Sequence, residues 1–389
     1  MYSSHPVFVM IKSNEHCPIC ESGKLQPLLI QSETPVHCVV LIHSQQAARN
    51  YPSGALDVRA CGDCGYALNV AFEPERMHYA EDYEETQGFS SVFSKHQLEM
   101  AKQLIADFDL HGQRIVELGC GKGEFLNLLC KLGNNHGLGY DPVFDPTRIQ
   151  LEDNVRVCRE MFTHSHGLGP VDFLACLMTL EHIAEPIAFM AMLRKAIGNQ
   201  KPVVYFQIPD IQRIYESGAF WDIFYEHCNY FTDAALALTF ARAGFEVEQL
   251  SRTFSDQYLT ITARPGEIPH EVSLEPGSYQ WSIERFHAQS VATLNEGQNA
   301  IRNCQKSGGR VAIWGTGSKA VALLGMLGTS VDSLHLVDIN PNKHGTYLPG
   351  TGCEVHNPES LRSLSPNLVI IMNANYEQEI SSHLEDWYL

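Results

Sequence analysis

The feature that most constrains the fold is an apolar segment that ends in three closely spaced glycines and is followed by a helix-like pattern. Residues 115–118 form the apolar segment, Gly119, Gly121 and Gly123 follow, and apolar side chains then recur at helical spacing over residues 125–132. This pattern predicts a strand, a tight turn and a helix. Glycines let the backbone approach a ligand closely, and the start of a helix directs unpaired N–H groups toward it. The turn is therefore a predicted ligand-binding site.

Two acidic residues accompany the turn. Glu117 lies at the end of the first strand, where its carboxylate could reach a positively charged ligand, and Asp141 ends a second predicted strand, where it could hydrogen-bond ribose hydroxyls. Together they resemble the first motifs of the class I S-adenosylmethionine (SAM) methyltransferases; a structural glycine turn in another α/β domain is the alternative. The resemblance implies that SAM is contacted by Glu117, Gly119, Cys120, Gly121, Asp141 and Pro142.

The composition limits the class of protein. A chain of 389 residues is long enough for two or three domains. A formal charge of −18 argues against a broad nucleic-acid-binding surface. No apolar run approaches the roughly 20 residues that cross a bilayer, and residues 6–11 are too short and lack the basic flank of a signal sequence. We therefore expect a cytoplasmic protein with no membrane partner and with mostly reduced cysteines.

Two cysteine pairs near the N-terminus have metal-ligand spacing. Cys17 and Cys20 form one C-x-x-C pair, and Cys61 and Cys64 form another. Four thiolates on two tight turns give a closed tetrahedral shell, which suits a structural zinc and leaves no open position for catalysis. His37, Cys38 and His43 lie between the pairs, and reduced cysteines without metal are the alternative.

The α/β alternation continues beyond Asp141. Strands are predicted over residues 155–157, 171–176 and 203–208, with a helix over 186–196 between the last two. A helix over 94–108 precedes the glycine turn, and a hairpin of residues 244–247 with 257–263 is expected to close the sheet. The pattern predicts a doubly wound parallel sheet. His182 follows the fourth strand and is expected at the ligand-binding edge, where it either takes part in the chemistry or shapes the cofactor pocket.

An aromatic stretch after the fifth strand contains a second set of candidate catalytic residues. Residues 220–232 are mostly aromatic, yet Glu226 and His227 lie in the middle with Tyr225 beside them. A histidine in a partly desolvated pocket is suited to act as a general base near neutral pH. Tyr83, in the acidic and tyrosine-rich segment 77–85, is a candidate lid contact, although such segments are more often solvated surface.

These motifs together resemble the nucleotide-sugar C-methyltransferases over nearly the whole chain. The resemblance implies that Glu226 and His227 are an acid and base pair and that His182 and Tyr83 are active-site partners. Two departures concern the acceptor. The family commonly has Tyr-His-Glu-His where this chain has Phe224-Tyr225-Glu226-His227, and a Gly-Gly-Ser turn where it has residues 256–258.

The C-terminal region repeats the strand and glycine-turn pattern. Residues 265–276 suggest a linker, and residues 279–306 a long helix. Residues 310–319 then give a strand, a glycine turn and a helix start, and Asp338 ends a further strand. Only about half of a full dinucleotide fold remains, so we expect a truncated Rossmann-like domain. Its turn either packs tightly or holds a phosphate with Lys319 and Lys343 nearby; the resemblance implies that it holds the nucleotide end of the acceptor.

The sequence thus predicts an α/β protein in four parts: a zinc module and lid (residues 1–85), a SAM methyltransferase core (86–265), a linker helix (266–306) and a Rossmann-like substrate-binding domain (307–389). The predicted activity is SAM-dependent methyl transfer to carbon of a keto-sugar nucleotide or similar natural-product intermediate, with His227 as the base. An O- or N-methyltransferase of a small metabolite and a non-catalytic zinc- and SAM-binding scaffold are the alternatives.

Overall fold

The structure is a computed structural model that describes residues 16–79, 82–163, 165–266, 274–327 and 331–387. The apolar segment 6–11 and most of the predicted linker 265–276 lie outside these ranges. Within them, no helix is both long enough and apolar enough to cross a membrane.

The secondary structure follows the predicted order. The strands are β1 (Leu25–Pro35), β2 (Ser53–Cys61), β3 (Ala67–Asn69), β4 (Arg114–Leu118), β5 (His136–Tyr140), β6 (Val155–Cys158), β7 (Phe173–Leu177), β8 (Val203–Pro209), β9 (Asn229–Tyr230), β10 (Phe245–Thr253), β11 (Tyr258–Pro265), β12 (Val311–Trp314), β13 (Leu334–Val337), β14 (Val355–His356) and β15 (Leu368–Ile371). The helices are α1 (Gln45–Arg49), α2 (Ser91–Phe108), α3 (Glu124–Gly133), α4 (Pro186–Ile197), α5 (Ile211–Ser217), α6 (Asp233–Arg242), α7 (Gln280–Lys306), α8 (Ser318–Leu327), α9 (Leu361–Leu364) and α10 (Glu377–Asp386).

The central sheet has seven strands in the order β10-β11-β8-β7-β4-β5-β6. The strands from β8 to β6 are parallel, whereas β11 runs antiparallel to both β8 and β10. β7 and β8 are buried along nearly their whole length, as expected for parallel strands covered on both faces. This arrangement is the class I SAM methyltransferase fold, which confirms the predicted fold class and the closing hairpin.

The N-terminal sheet is antiparallel and includes a strand from the middle of the chain. Its order is β1-β2-β3-β9, and β9 follows directly after His227 and Cys228. Ala67 pairs with Tyr230, and Leu68 pairs with Asn229. The N-terminal region therefore fixes the backbone of the aromatic stretch.

The C-terminal sheet is parallel, with the order β14-β13-β12-β15. The long helix α7 packs on α5 and also contacts β1, α8 and β12, so it connects the N-terminal and C-terminal sheets. The carboxyl end of β12 faces the same interior space as the carboxyl ends of β4 and β7, because residues from all three ends line one cavity. This space is the candidate site.

Candidate active site

The cavity has a volume of about 600 Å³ and extends from the glycine turn to the C-terminal domain. All six predicted SAM contacts line it, together with Tyr83, His182 and His227. On the opposite side it is lined by Gly315, Ser318 and Lys319 of the second glycine turn. The fold thus joins the two glycine turns in one space.

The first glycine turn needs glycine for two reasons. Gly119, Gly121 and Gly123 have φ angles of 67°, 53° and 78°, in the left-handed region that disfavours other residues. A Cβ on Gly119 would lie 2.0 Å from Oγ1 of Thr179, which is too close for any side chain. The backbone is therefore both left-handed and tightly packed where it meets the cavity.

Glu117 is a buried carboxylate with an unused oxygen. Its exposed fraction is 3%, and its Oε2 has no hydrogen-bond partner in the described part of the chain. Burial raises the pKa of Glu117 to about 8, while a hydrogen bond from the main chain of Leu126 and the charge of Asp141 have smaller effects. A buried acceptor without a partner is costly unless a ligand satisfies it. The site fits a cationic group such as the sulfonium or ammonium of SAM.

Asp141 holds the turn in place. Its carboxylate accepts hydrogen bonds from the main-chain N–H groups of Gly121 at 2.8 Å and Val143 at 2.9 Å. Burial raises the pKa of Asp141, and these two hydrogen bonds oppose that effect. The predicted strand-end acid is thus next to the turn, as a ribose contact requires.

Glu226 belongs to a buried network of polar groups. It is 1% exposed, and it accepts hydrogen bonds from the hydroxyl of Tyr83 at 2.8 Å and from the main-chain N–H of Cys38 at 2.9 Å. Nδ1 of His37 lies 3.3 Å from its Oε2. Burial alone would raise the pKa of Glu226, but the hydrogen bond with His37 and the charges of His182 and His37 leave it lowered. The carboxylate is therefore ionised and directed at His37, not at its neighbour His227.

His182 and His227 meet at the cavity wall. Their ring centroids are 4.7 Å apart with an interplanar angle of 86°. Nδ1 of His182 lies 3.0 Å from the hydroxyl of Tyr79, whereas the buried Nδ1 of His227 has no partner among the described residues. Burial lowers the pKa of both rings, and that of His227 lies well below its ordinary value. Both histidines are neutral at neutral pH, and His227 has a free nitrogen lone pair.

Tyr225 lies apart from this group. It is fully buried and does not line the cavity; its ring contacts Phe72, with the centroids 5.3 Å apart, and its hydroxyl accepts a hydrogen bond from the main chain of Glu73. The predicted catalytic role of Tyr225 has no support in this geometry.

Sequence reasoning missed His37, because it was considered only beside the cysteines, and Tyr79, because its segment was expected to be mostly solvated surface.

A second buried cluster joins the lid segment to the SAM turn and to the C-terminal domain. Glu84 is 1% exposed and forms ion pairs with Lys122, at 2.9 Å, and with Arg148. It also accepts a hydrogen bond from the side chain of Asn340 at 3.0 Å. Lys122 belongs to the SAM turn, and Asn340 to the C-terminal domain. Glu84 thus holds three parts of the chain together behind the cavity.

The cationic residues of the second glycine turn are already paired. Lys319 forms an ion pair with Asp222, which also binds Arg213. Lys343 lies 3.1 Å from Asp338. Asp338 also accepts hydrogen bonds from the N–H and hydroxyl of Thr316. Lys319, Lys343 and Arg213 nevertheless line the cavity, so an anion could reach them there.

The four predicted metal-binding cysteines come together at the N-terminal sheet. The Sγ atoms of Cys17 and Cys64 are 3.6 Å apart, and those of Cys20 and Cys61 are 3.5 Å apart. These distances are near the roughly 3.8 Å edge of a tetrahedron with Zn–S bonds of about 2.3 Å. All four sulfurs lie within 4.8 Å of one another. His37 and Cys38 lie instead at the Glu226 network.

Two family models match the chain. One is described as a methyltransferase domain and matches residues 82–250. The other is described as a C-methyltransferase C-terminal domain and matches residues 278–388. No curated protein sequence matches the chain.

Solved structures with similar folds include a SAM-dependent methyltransferase from Aquifex aeolicus, at 17% identity and a TM-score of 0.35, covering 46% of this chain and 98% of that one. Magnesium protoporphyrin IX methyltransferase from Synechocystis PCC 6803 with bound SAH has 15% identity and a TM-score of 0.34, and the match covers 44% of this chain and 82% of that one. The same enzyme with bound SAM has 14% identity and a TM-score of 0.34, and the match covers 47% of this chain and 86% of that one.

Proposed function

We propose that this chain, a SAM-dependent methyltransferase that belongs to the C-methyltransferase family, transfers the methyl group to an acidic carbon next to a ketone. The acceptor we propose is a keto-sugar nucleotide. The observation that carries the proposal is His227, a buried neutral histidine that lines the same cavity as the SAM turn and whose buried Nδ1 has no hydrogen-bond partner among the described residues.

The chemistry requires a base. The methyl group of SAM is an electrophile on a positively charged sulfur, and a carbon next to a carbonyl becomes a nucleophile only when its proton is removed. His227 would remove this proton, because its free lone pair needs no prior deprotonation. The electron pair of the broken C–H bond passes to the carbonyl oxygen as an enolate and then forms the new C–CH₃ bond.

The neighbouring residues would position the reactants. Tyr79 fixes the ring of His182 through the hydrogen bond at Nδ1. Glu226 fixes Tyr83 and His37 at the same wall. Such a preorganised wall keeps its dipoles oriented and excludes water around the developing enolate. Glu117, Gly119, Gly121 and Asp141 would hold SAM, with Cys120 and Pro142 lining its pocket.

The far side of the cavity supports an anionic acceptor. Arg213, Lys319 and Lys343 lie there beside the carboxylates Asp222 and Asp338. Burial and the charge of Arg213 lower the pKa of Lys319 well below its ordinary value, so an anion that binds beside Lys319 would favour its protonated form. A diphosphate that displaces part of these ion pairs would place the attached sugar toward His227.

The test is an assay by mass spectrometry with methyl-deuterated SAM, a panel of nucleotide-linked keto-deoxysugars and heavy water. The expected result is label on carbon together with solvent deuterium in the recovered acceptor. His227→Ala should abolish both while SAM still binds, and equal loss of SAM binding would show that His227 is structural. Label on oxygen or nitrogen without solvent exchange would replace the proposal with O- or N-methyl transfer.

We also propose that Cys17, Cys20, Cys61 and Cys64 bind one structural zinc ion. Their sulfur separations and tight turns support this role, and the thiolates fill all four positions, so the ion would take no part in the reaction. The cysteines pack in one apolar cluster with residues of the central sheet. The zinc would therefore stabilise the N-terminal sheet against the methyltransferase core.

A further inference from the structure

Glu181 is a buried carboxyl group that the proposed reaction does not yet use. It is 1% exposed, and neither of its carboxylate oxygens has a hydrogen-bond partner among the described residues. It lies in the turn Leu180–His182, directly after β7 and next in sequence to His182. Two unsatisfied oxygens of one buried carboxyl group are costly, which indicates that the group serves a purpose other than stability.

The surroundings of Glu181 indicate what that purpose is. Its carboxylate and one ring nitrogen each of His182 and His227 all lie within 4.8 Å of one another. Its main-chain carbonyl accepts a weak hydrogen bond from Sγ of Cys228, the residue after His227. The carboxylate is thus held behind the two histidines, on a turn that is tied to the catalytic segment.

We propose that Glu181 accepts from His227 the proton that His227 removes from the acceptor, and so restores the base within the closed site. This inference rests on the proposed function. The C–H bond of the acceptor breaks, its electrons form the enolate, and the proton binds the ring nitrogen of His227. The proton then moves to the ionised carboxylate of Glu181, across one bridging water or after a small side-chain rotation. It leaves to solvent after the product departs.

The proton affinities favour this direction of transfer. Burial raises the pKa of Glu181 to about 8, whereas burial and the neighbouring His182 hold the pKa of His227 well below its ordinary value. His227 alone is a weak base for a carbon acid. Passing the proton to a group of higher affinity makes its removal from carbon more favourable.

Apart from Glu117, the other titratable groups around Glu181 do not ionise in the same range. Burial raises the pKa of Cys176 on β7 and of Tyr258 on β11. It raises the pKa of Cys228 to about 12. Burial also raises the pKa of Tyr79 and Tyr230, and it lowers that of His182. Burial also raises the pKa of Glu117, at the end of β4, to about 8. Loss of the pH-dependent rise in Glu181→Gln therefore distinguishes Glu181, which lies with the two histidines, from Glu117.

The experiment measures solvent deuterium entering the acceptor with SAH in place of SAM, which isolates proton transfer from methyl transfer. With the panel of nucleotide-linked keto-deoxysugars, the exchange rate of the native enzyme should rise with pH and level off above about 8. Glu181→Gln should lower the rate at pH 8.5 at least tenfold and remove this rise. Glu181→Asp should restore part of the rate. The matched control is Glu185→Gln, which removes an exposed carboxylate from the same loop and should change nothing.

A second measurement needs no acceptor. The infrared band of a protonated carboxyl group should disappear with a midpoint near pH 8 in the native enzyme, and the difference between native and Glu181→Gln enzyme isolates this residue. A midpoint below pH 6, or unchanged exchange in Glu181→Gln, would overturn the inference while leaving His227 as the base. The inference would also be overturned if metal analysis found, besides the zinc, a second metal ion per chain that is absent from the Glu181→Gln enzyme. A cation would then bind the lone pairs of Glu181 and the two histidines. No exchange by the native enzyme would instead refute the proposed function.

Discussion

Binding of SAM should release a proton from Glu117, because the ligand brings positive charge to a carboxyl group that burial keeps protonated. The pKa of Glu117 is raised from an ordinary 4.5 to about 8. At about 1.4 kcal/mol per pH unit, this corresponds to a cost of about 5 kcal/mol for ionising the group in the SAM-free protein. A bound cation within reach of the unpartnered Oε2 would recover a large part of that cost.

The expected pH dependence has a definite sign. Because the folded pKa is raised, the contribution of Glu117 to the stability of the SAM-free protein is fully present below 4.5 and is lost as the pH rises to about 8. SAM affinity should rise about tenfold per pH unit between about pH 6 and 7.5, and it should level off where the α-amino group of SAM, with an ordinary pKa of about 7.7–8.0, loses its own proton. At pH 6.5, about one proton should be released per SAM bound.

The assay is isothermal titration calorimetry in two buffers of different ionisation enthalpy, which gives the number of protons released. Glu117→Gln should bind SAM without proton release at pH 6.5. Glu181→Gln is the matched control, since that carboxyl group has the same raised pKa but is not among the described residues that line the cavity. If the native protein releases no proton, or if Glu117→Gln releases as many as the native protein, Glu117 does not face the cationic part of SAM.

Three further predictions test other parts of the structure. Gly119→Ala should reduce SAM affinity at least tenfold. Gly112 has the same φ of 67° but nothing within 4 Å of an added methyl group, so Gly112→Ala should cost only about 1 kcal/mol of stability. An equal loss of melting temperature in both variants, with the SAM affinity of Gly119→Ala unchanged, would contradict this. Cys64→Ser should lose the zinc ion by metal analysis and expose the N-terminal sheet to proteolysis, while Cys304→Ser should retain both properties of the native protein. Glu84→Gln should lower the free energy of unfolding in urea by about 3–5 kcal/mol, because Lys122 and Arg148 would lose a buried partner. The exposed Glu99→Gln, at the pair with Lys95, should change it by less than about 0.5 kcal/mol.

The sequence was sufficient to predict the central sheet, because strand and helix periodicity and the glycine turn are local signals. It predicted β4, the turn and Asp141 for the same reason. It was not sufficient to predict the partner of Glu226. Tyr225 and Glu226 lie in a turn closed by a hydrogen bond from the N–H of His227 to the carbonyl of Phe224, and Glu226 reaches His37, which is 189 positions away in the chain. Glu181 also had no local signal, because burial without a partner is a property of the packed structure.

The position of β9 connects the proposed zinc module to the methyltransferase core. The segment that carries the proposed base His227 lies between the turn Phe220–Asp222 and β9, and β9 pairs with β3 of the N-terminal sheet. The same sheet region supplies His37 and the main-chain N–H of Cys38 to Glu226, and the hydroxyl of Thr232, just after β9, donates to the carbonyl of Cys64 at 2.5 Å. The four-cysteine cluster is therefore linked, through Cys64 and Thr232, to the segment that carries His227. Loss of zinc should consequently reduce proton removal even though none of these four cysteines lines the cavity, because the proposed base His227 would lose its fixed position before the SAM turn is disturbed.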